Sequence, residues 1–242
     1  MTRWFRDAYV VFSMEVRRFL KDWEGFVINS LISSATFIML RLMTAPPPDV
    51  EVQLLAGAIV LAVGMQSVSV TGSLLVSERF EGQMTLFRTS PMSPGSYVTG
   101  VTTASALTAM LTAVGVLGVA AAVGADFHLS LLLLPLLIMT ALALPGFAVL
   151  IATHVRTAQA GYMLSSTVGI LVVLVSPIFY PIERLPEWLQ WVARVSPFTH
   201  AGQAFREVLT GGSSVLVPVL ILLVFMVATN ILGITRMRWR EP

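Results

Sequence analysis

Few side chains in this chain are of the types that do chemistry, and the densest group of them lies in one polar stretch. The stretch runs from Ser77 to Gly95, SERFEGQMTLFRTSPMSPG, and two long runs without charge flank it. It carries two acids and two arginines, which are Glu78, Glu81, Arg79 and Arg88. Charges of both signs between apolar runs indicate a surface segment that a partner in the aqueous phase could contact.

The apolar residues of the same stretch predict a helix. They recur at about helical spacing, at Phe80, Met84, Leu86 and Phe87. This pattern is typical of a short amphipathic helix along a bilayer surface, here from about Glu78 to Arg88. Pro91 and the Pro94-Gly95 pair then end the helix and turn the chain back into the membrane. Large apolar residues on a short exposed loop indicate an interface rather than a merely solvated helix.

The other reactive residue types exclude several functions. A Walker A nucleotide site needs a lysine directly after glycine, but the single lysine, Lys21, follows Leu20. The histidines lie far apart, at His128, His154 and His200, so no metal site is predicted. Disulfides and thiolate chemistry are excluded because there is no cysteine. We therefore expect no catalytic residue, no metal and no cofactor bound by this chain itself.

Composition indicates a membrane protein. Of the 242 residues, 56% are hydrophobic and 12% are charged. An average soluble domain has about 25% charged residues, roughly twice as many. The net charge is only +2, and the arginines lie beside apolar runs rather than in one patch. A nucleic-acid partner is therefore not expected.

The hydrophobic pattern divides the chain into two parts. Residues 1–24 predict an amphipathic helix in the membrane plane, with cations directed to anionic headgroups. Residues 25–242 hold six runs that can reach the roughly 20 residues that a spanning helix needs. The predicted spans are Gly25 to Met43, Leu54 to Val76, Tyr97 to Val123, Leu129 to Thr153, Ala158 to Phe179 and Val215 to Ile234. The sequence therefore predicts an all-α polytopic membrane protein with six transmembrane helices.

Prolines and neutral polar residues interrupt these spans. Pro135, Pro145-Gly146 and Ser176-Pro177 are expected to kink or break their helices, with neighbouring groups satisfying the freed carbonyls. Hydroxyl residues most often serve helix packing in lipid. Gln66 differs, because a glutamine within a span must find a partner or face a cavity. The predicted spans contain no acid, which disfavours a carrier coupled to protons or sodium.

Positive charge predicts the orientation. With the N-terminus inside, eleven arginine and lysine residues lie on the inner side and four on the outer side. This excess places both termini and the loop 77–95 in the cytoplasm. On the outer side, residues 180–214 contain two helices too short to cross, separated at Ser196-Pro197. We expect them to form a re-entrant or interfacial pair that caps the fifth and sixth spans.

Two stretches resemble the permease subunits of the type-2 ABC exporter family, especially the small six-span permeases similar to the daunorubicin exporter's membrane subunit. In the polar stretch, the matching residues are Glu78, Arg79, Gly82 and Pro91. In Ser176 to Leu209, they are Pro177, Pro181, Pro186, Trp188, Leu189, Pro197 and Arg206. The chain departs from many relatives at Phe80, Gln83 and Thr85, where acidic residues or threonine are usual.

The resemblance implies particular partners. Two permease chains, identical or paired with a sibling, would sit in the cell membrane on two separate ATP-binding subunits. Those subunits would hold the ATP and magnesium, so this chain would not be an enzyme. The predicted surface helix from about Glu78 to Arg88, which we call the coupling helix, would dock into a groove of each ATP-binding subunit. The residues implied in coupling are Glu78, Arg79, Phe80, Glu81, Gly82, Met84, Phe87 and Arg88.

The resemblance also implies a route for the substrate along the dimer axis, lined by the second and fifth spans. The residues nominated for this path are Gln66, Ser69, Ser73, Ser165, Thr167 and Phe179, and those nominated for an outer gate are Pro177, Pro181, Trp188 and Pro197. A neutral lining suits an amphiphilic drug, antibiotic or lipid. A polysaccharide or lipid-linked glycan exporter and a stand-alone secondary carrier remain alternatives, and an intramembrane enzyme has little support.

Overall fold

The computed structural model describes residues 2–21, 23–82, 92–180, 182–212 and 214–236. Within these ranges the chain is helical and contains no strand. The α-helices are, in chain order, α1 (Thr2–Lys21), α2 (Trp23–Thr44), α3 (Pro48–Gly64), α4 (Thr71–Phe80), α5 (Pro94–Ala122), α6 (Leu133–Ala143), α7 (Pro145–His154), α8 (Ala158–Val175), α9 (Glu187–Val195), α10 (Pro197–Leu209) and α11 (Leu216–Arg236). A π-helical turn, Met65–Val70, joins α3 to α4, and a 3₁₀ turn, Ile182–Arg184, precedes α9.

Among the described residues, five helical segments are long and apolar enough to cross a membrane. They are Trp23–Thr44, Pro48–Phe80, Pro94–Ala122, Leu133–His154 and Leu216–Thr235. The chain is therefore an all-α polytopic membrane protein, as its hydrophobic pattern predicts. Helix α8, with 18 residues, occupies the place of the fifth predicted span and packs beside α4 and the π turn. The count of six spans stays a prediction.

Helix α3 forms the centre of the bundle. From Leu54 to Gly64, every side chain except the half-buried Leu61 is buried. A helix that is apolar on all sides is stable only when other helices surround it, and α2, α5 and α10 pack around α3. By contrast, α2 and α11 bury few residues and present long apolar faces outward.

Helix α1 lies against the part of α5 that follows Pro94. Ala8 and Val11 are buried there, and Gly100 of α5 allows this close approach. Other apolar residues of α1, including Phe5, Tyr9 and Leu20, stay exposed. Residues 2–21 thus form the predicted amphipathic helix, but α2 already begins at Trp23, earlier than the predicted boundary at residue 24. We call this end of the bundle the α1 end.

The fourth predicted span is broken, as Pro145 predicts. Helix α6 ends at Ala143 and α7 begins at Pro145, which has no N–H to donate. Two side chains of α11 donate to the carbonyls freed at the break. Thr229 Oγ1 lies 3.1 Å from the Ala143 oxygen, and Asn230 Nδ2 lies 3.2 Å from the Leu142 oxygen. A neighbouring helix therefore satisfies the exposed backbone groups.

The prediction for Pro135 is wrong, and that for Ser176-Pro177 is confirmed. Pro135 lies in the first turn of α6, which begins at Leu133, where backbone N–H groups have no intrahelical partner. A proline there costs no hydrogen bond, so the helix continues without a kink. Helix α8, in contrast, ends at Val175, directly before the Ser176-Pro177 pair.

The two short helices predicted in residues 180–214 are present at the end opposite α1. Helix α10 is inserted between α3, α6 and α11, and most of its side chains are buried. Helix α9 lies outside the bundle and exposes Trp188 and Trp191. Two other contacts fix this end: Arg41 pairs with Glu51 at 2.9 Å and also donates to the Val123 carbonyl at the end of α5.

The contact of α1 with α5 can be tested with two glycines of α5. A Cβ at Gly100 would meet the Val11 Cβ at 2.6 Å and the Ala8 carbonyl oxygen at 2.7 Å, whereas Gly118 has nothing within 4 Å. We expect Gly100→Ala to lower the free energy of unfolding by about 1 to 3 kcal/mol, the usual cost of overpacking. Gly118→Ala is the control, and its higher helix propensity should leave stability equal or slightly raised. Thermal unfolding in detergent micelles measures both, and equal midpoints would contradict this packing.

Candidate functional site

The first part of the polar stretch continues the second span. Helix α4 extends through Phe80 and ends at Glu81, and Gly82 follows with a φ of +81°. Glu78, Arg79 and Phe80 therefore do not begin a separate surface helix, which corrects the predicted start of the coupling helix at Glu78. This backbone conformation suits glycine, because a positive φ is strained for most other residues. The remaining predicted coupling residues, Met84, Phe87 and Arg88, lie outside the described residues.

Glu78 lies in a buried polar cluster. Its side chain is 2% exposed, and one carboxylate oxygen accepts a hydrogen bond from Arg18 of α1 at 2.6 Å. The other oxygen accepts one from the hydroxyl of Tyr97 on α5. One carboxylate thus joins α1, α4 and α5 at the α1 end of the bundle. A buried charge of this kind is stable only when it is paired and hydrogen-bonded.

This burial corrects the surface role that the sequence suggested for Glu78. The resemblance implied that Glu78 takes part in docking the ATP-binding subunit, but its side chain is buried between helices. Periodicity alone could not show this, because Arg18 is 60 positions away in the chain. Glu78 therefore positions the polar stretch rather than presenting a charge from its surface.

Glu15 is the second acid of this cluster. It accepts two hydrogen bonds from Arg18, at 3.1 and 3.2 Å. Burial, with the nearby negative charge of Glu78, raises the pKa of Glu15 to about 7. Two carboxylates share one guanidinium here, so near neutral pH Glu15 takes up and releases a proton. Sequence analysis did not single out Glu15, although an acid on an amphipathic helix beside two arginines was the available signal.

Arg79 also acts within the chain. It donates to the carbonyl oxygens of Ala152 and Val155 at 2.7 and 2.9 Å, where α7 ends. A cation at a helix C-terminus satisfies terminal carbonyls and interacts favourably with the helix dipole. Arg79 thus fastens the end of α4 to the end of the fourth predicted span, while its guanidinium lies 5.2 Å from the centre of the Phe80 ring.

Part of the polar stretch does face outward. Phe80 is 39% exposed, and Glu81 and Gly82 are exposed. Glu81 accepts a hydrogen bond from the hydroxyl of Ser77 at 2.7 Å. Aromatic rings are enriched at protein interfaces, whose rims are polar. The coupling roles of these three residues stay predictions.

Gln66 has the partners that a polar residue within a span requires. It lies in the π-helical turn and is buried. Its amide oxygen accepts from Asn29 Nδ2 of α2 at 3.2 Å, and its amide nitrogen donates to Thr108 of α5 at 3.1 Å. Turns of π-helix are rare and are frequent at functional sites. Sequence analysis missed Asn29, although an amide in the first apolar run was visible.

Gln66 also faces a cavity, as the sequence predicts for it. The cavity has a volume of about 270 Å³ and lies between α1, α2, α4, α5 and the π turn. Its lining includes apolar residues of all four helices, the polar side chains of Gln66 and three hydroxyl residues, and the charged pair Glu15 and Arg18. The lining residues are Glu15, Arg18, Phe19, Gly25, Phe26, Gln66, Val70, Thr71, Leu74, Val101, Ala104, Ser105 and Thr108.

The other residues nominated for a substrate path do not share this cavity. Ser69 contacts α8 at Gly169, and Ser165 contacts α4 at Gly72, so tight packing between the two spans surrounds both hydroxyls. Thr167 is exposed on α8. Within one chain, these residues therefore lie on different surfaces, and their role in a path between two chains stays a prediction.

The remaining path and gate residues are spread over the bundle. Ser73 is half-buried in α4, and the half-buried ring of Phe179 packs against Gly57. Pro197 is buried at the start of α10, whereas Trp188 is 69% exposed. Pro177 is half-buried, and Pro181 lies outside the described residues.

An unpredicted contact holds the predicted gate region together. The hydroxyls of Ser176 and Ser196 are 2.7 Å apart, which joins the end of α8 to the break between α9 and α10.

In the part of the chain that the structure describes, no three histidine, aspartate or glutamate side chains come together as a metal would need.

Removal of Glu78 should destabilise the protein. We expect Glu78→Ala to lower the free energy of unfolding by about 2 to 3 kcal/mol, because it removes an acceptor of the buried Tyr97 hydroxyl and one of the two carboxylates that Arg18 bonds. Glu81→Ala is the matched control, and its exposed carboxylate should cost no more than about 0.5 kcal/mol. Unfolding titrations in mixed micelles compare the two variants. Equal effects would show that the Glu78 carboxylate holds nothing together.

Comparison with known proteins agrees with this architecture. The family model described as ABC-2 type transporter matches residues 7–210, which cover α1 to α10. The match includes both the buried cluster at the α1 end and the two short helices at the opposite end. No curated protein is similar enough to count as a relative. Because the family model covers most of the chain, this protein belongs to the ABC-2 type transporter family, as a membrane-spanning permease component of an ABC transporter.

Proposed function

We propose that this chain is the permease subunit of an ABC exporter that moves an amphiphilic small molecule out of the cell. ATP hydrolysis on a separate ATP-binding subunit would drive the movement, with two such subunits serving two permease chains. Family membership supports the permease role. The proposal adds the energy source, the direction and the substrate class.

The hydrogen bonds at the start of the polar stretch are the main observation that supports this proposal. At its start, Glu78 is bonded to α1 and α5, and the adjacent Arg79 is bonded to the end of α7. A displacement applied at Glu81 and beyond would therefore reach three helices through short, charge-assisted hydrogen bonds. Such bonds are stronger than neutral ones and are suited to transmit a rigid-body movement.

The exposed residues beyond this anchor are the proposed contacts for the ATP-binding subunit. Phe80 would supply an apolar contact and Glu81 a charged one, next to the exposed Gly82. This role requires the α1 end to face the cytoplasm, with both termini on the cytoplasmic side of the cell membrane. The excess of positive charge on that side supports the same orientation.

The substrate class rests on the polar groups of the bundle interior. Within the described residues, the buried amides and hydroxyls around the π turn are neutral, and apolar side chains surround them. Such a surface suits a molecule with a large apolar body and a few polar groups. A highly charged glycan would lose hydration without gaining matching partners.

Co-purification with the ATP-binding subunit tests the proposal. We expect the combined variant Phe80→Ala and Glu81→Ala to reduce the amount of bound ATP-binding subunit about tenfold or more, a loss of about 1.4 kcal/mol in affinity. The control is Glu183→Ala with Trp191→Ala, which removes an exposed acid and an exposed aromatic ring at the opposite end. It should leave the association unchanged.

Reconstituted transport provides the second measurement. Vesicles containing this chain and its ATP-binding subunit should accumulate an amphiphile only with hydrolysable ATP. Transport by the chain alone without nucleotide would contradict the proposal and favour a secondary carrier. If the variant with Phe80→Ala and Glu81→Ala still binds the ATP-binding subunit normally, the docking surface does not depend on these two residues.

A further inference from the structure

The cavity beside Gln66 has a charged end, a neutral polar end and apolar walls. Glu15 and Arg18 lie at one end, and Gln66 and Thr108 lie at the other. Phe19, Phe26, Val70, Leu74, Val101 and Ala104 line the space between them. Its volume of about 270 Å³ is near the lower limit of the roughly 300 to 1,000 Å³ typical of small-molecule sites.

The cavity reaches the protein surface at the corner between α1 and α2. Gly25, one of its lining residues, is exposed, and the neighbouring Leu20, Trp23 and Ile28 are exposed apolar residues. Because α1 is an amphipathic helix of the membrane surface, this corner faces the lipid near the headgroups. A molecule dissolved in that leaflet could enter sideways, with its polar group at the level of Glu15.

The charge at this end favours a cation. Among the described side chains that line the cavity, Glu15 and Arg18 are the charged ones. Arg18 also bonds to Glu78, so one guanidinium serves two carboxylates. An ammonium group beside Glu15 would add the positive charge that the two carboxylates lack, whereas an anion there would be repelled by Glu15, the carboxylate of the cavity lining.

The neutral end can bind a further polar group. The Gln66 amide makes one acceptor bond with Asn29 and one donor bond with Thr108. A carboxamide has two donor hydrogens and two acceptor positions. One hydrogen and one lone pair therefore remain for a ligand, and Gln66 lines the same cavity as the charged end.

We propose that this cavity binds an amphiphilic amine that enters from the membrane, with its ammonium group at Glu15, its apolar body between Phe19 and Phe26, and its far end toward Gln66. This assignment rests on the proposed function, because it names the chemical class of the exported amphiphile. The site lies within one chain, apart from the residues that the resemblance nominated along a dimer axis.

Binding of a fluorescent amine tests the site directly. The purified chain, in phosphatidylcholine nanodiscs and without an ATP-binding subunit, is titrated with dansylcadaverine. The matched probe is N-acetyl-dansylcadaverine, which has the same aromatic body but no cationic amine. We expect the amine to bind about tenfold or more tightly than the acetylated probe, after subtraction of binding to empty nanodiscs. Equal affinities would overturn the proposal.

Substitutions of cavity residues test which side chains contact the amine. Glu15→Gln keeps the size and shape of the side chain but removes its negative charge, and it should weaken amine binding about tenfold without changing binding of the acetylated probe. That unchanged binding shows that the variant is folded. Ala104→Phe fills the cavity and should abolish binding of both probes. Glu183→Gln, which removes an exposed carboxylate at the opposite end, is the control. An unchanged affinity of Glu15→Gln for the amine would contradict the proposal.

Acidity gives an independent readout. The pKa of Glu15 is about 7. The groups that face it are Arg18 on α1, Glu78 on α4 and Tyr97 on α5, and the described α2 residues of the cavity lining add no titratable group. Glu15 is ionised above pH 7 and neutral below it, so amine binding should fall between pH 8 and pH 6 by about five- to tenfold. The fall should disappear in Glu15→Gln, and a pH-independent wild type would count against the site.

The same assay separates lipid from free amphiphile. Phosphatidylethanolamine has a primary ammonium group, so nanodiscs containing it would suppress probe binding if a lipid headgroup occupies the site. That result would keep the ammonium chemistry and assign the occupant to lipid. Because no ATP-binding subunit is present, the outcome is independent of docking. Absence of probe binding despite normal co-purification of the ATP-binding subunit would overturn the cavity proposal alone.

Discussion

One buried carboxylate determines how the α1 end of this protein is built. Glu78 lies at the end of the second span, where it accepts from Arg18 on α1 and from Tyr97 on α5. Without these donors, an ionised acid at 2% exposure would be prohibitively costly. The requirement to pair it therefore holds an amphipathic surface helix against the third span, and the polar stretch begins from this fixed point. Arg79 extends the same attachment to the end of α7.

This arrangement suits a membrane component that receives mechanical work from outside the bilayer. Membership of the ABC-2 type transporter family places the chain among the permeases of ABC transporters. The bonds of Glu78 and Arg79 offer a route by which movement of the exposed residues Glu81 and Gly82 would reach three helices at once. The cavity that contains Gln66 adjoins that route, because Arg18 contributes to both. A movement of α1 would thus alter the charged end of the cavity and the anchor of the loop together.

Sequence patterns predicted the architecture well wherever local chemistry decides it. Apolar runs predicted the spanning helices, Pro145 predicted the break between α6 and α7, and a lone amide in an apolar run predicted that Gln66 would need partners. Pairings between distant segments were not predictable, because helical periodicity does not show which face a later helix will cover. Glu78 was therefore assigned to the surface, although Arg18 and Tyr97 enclose it. Periodicity likewise could not show which nominated path residues are enclosed within one chain, where Gln66 is buried and Thr167 is exposed; their role in a path between two chains stays a prediction.

The dependence of the α1 end on Glu78 is tested most directly by a double-mutant cycle between Arg18 and Glu78. The variants Arg18→Leu, Glu78→Leu and the combination are compared by their free energies of unfolding in mixed micelles. Each single variant removes one half of the Arg18–Glu78 ion pair, and Arg18→Leu leaves the buried Glu78 carboxylate without that counter-charge, whereas the double variant removes both charges. The account predicts that the double variant loses less stability than the sum of the single variants, by about 1.5 kcal/mol or more. Additive losses, within about 0.3 kcal/mol, would contradict it.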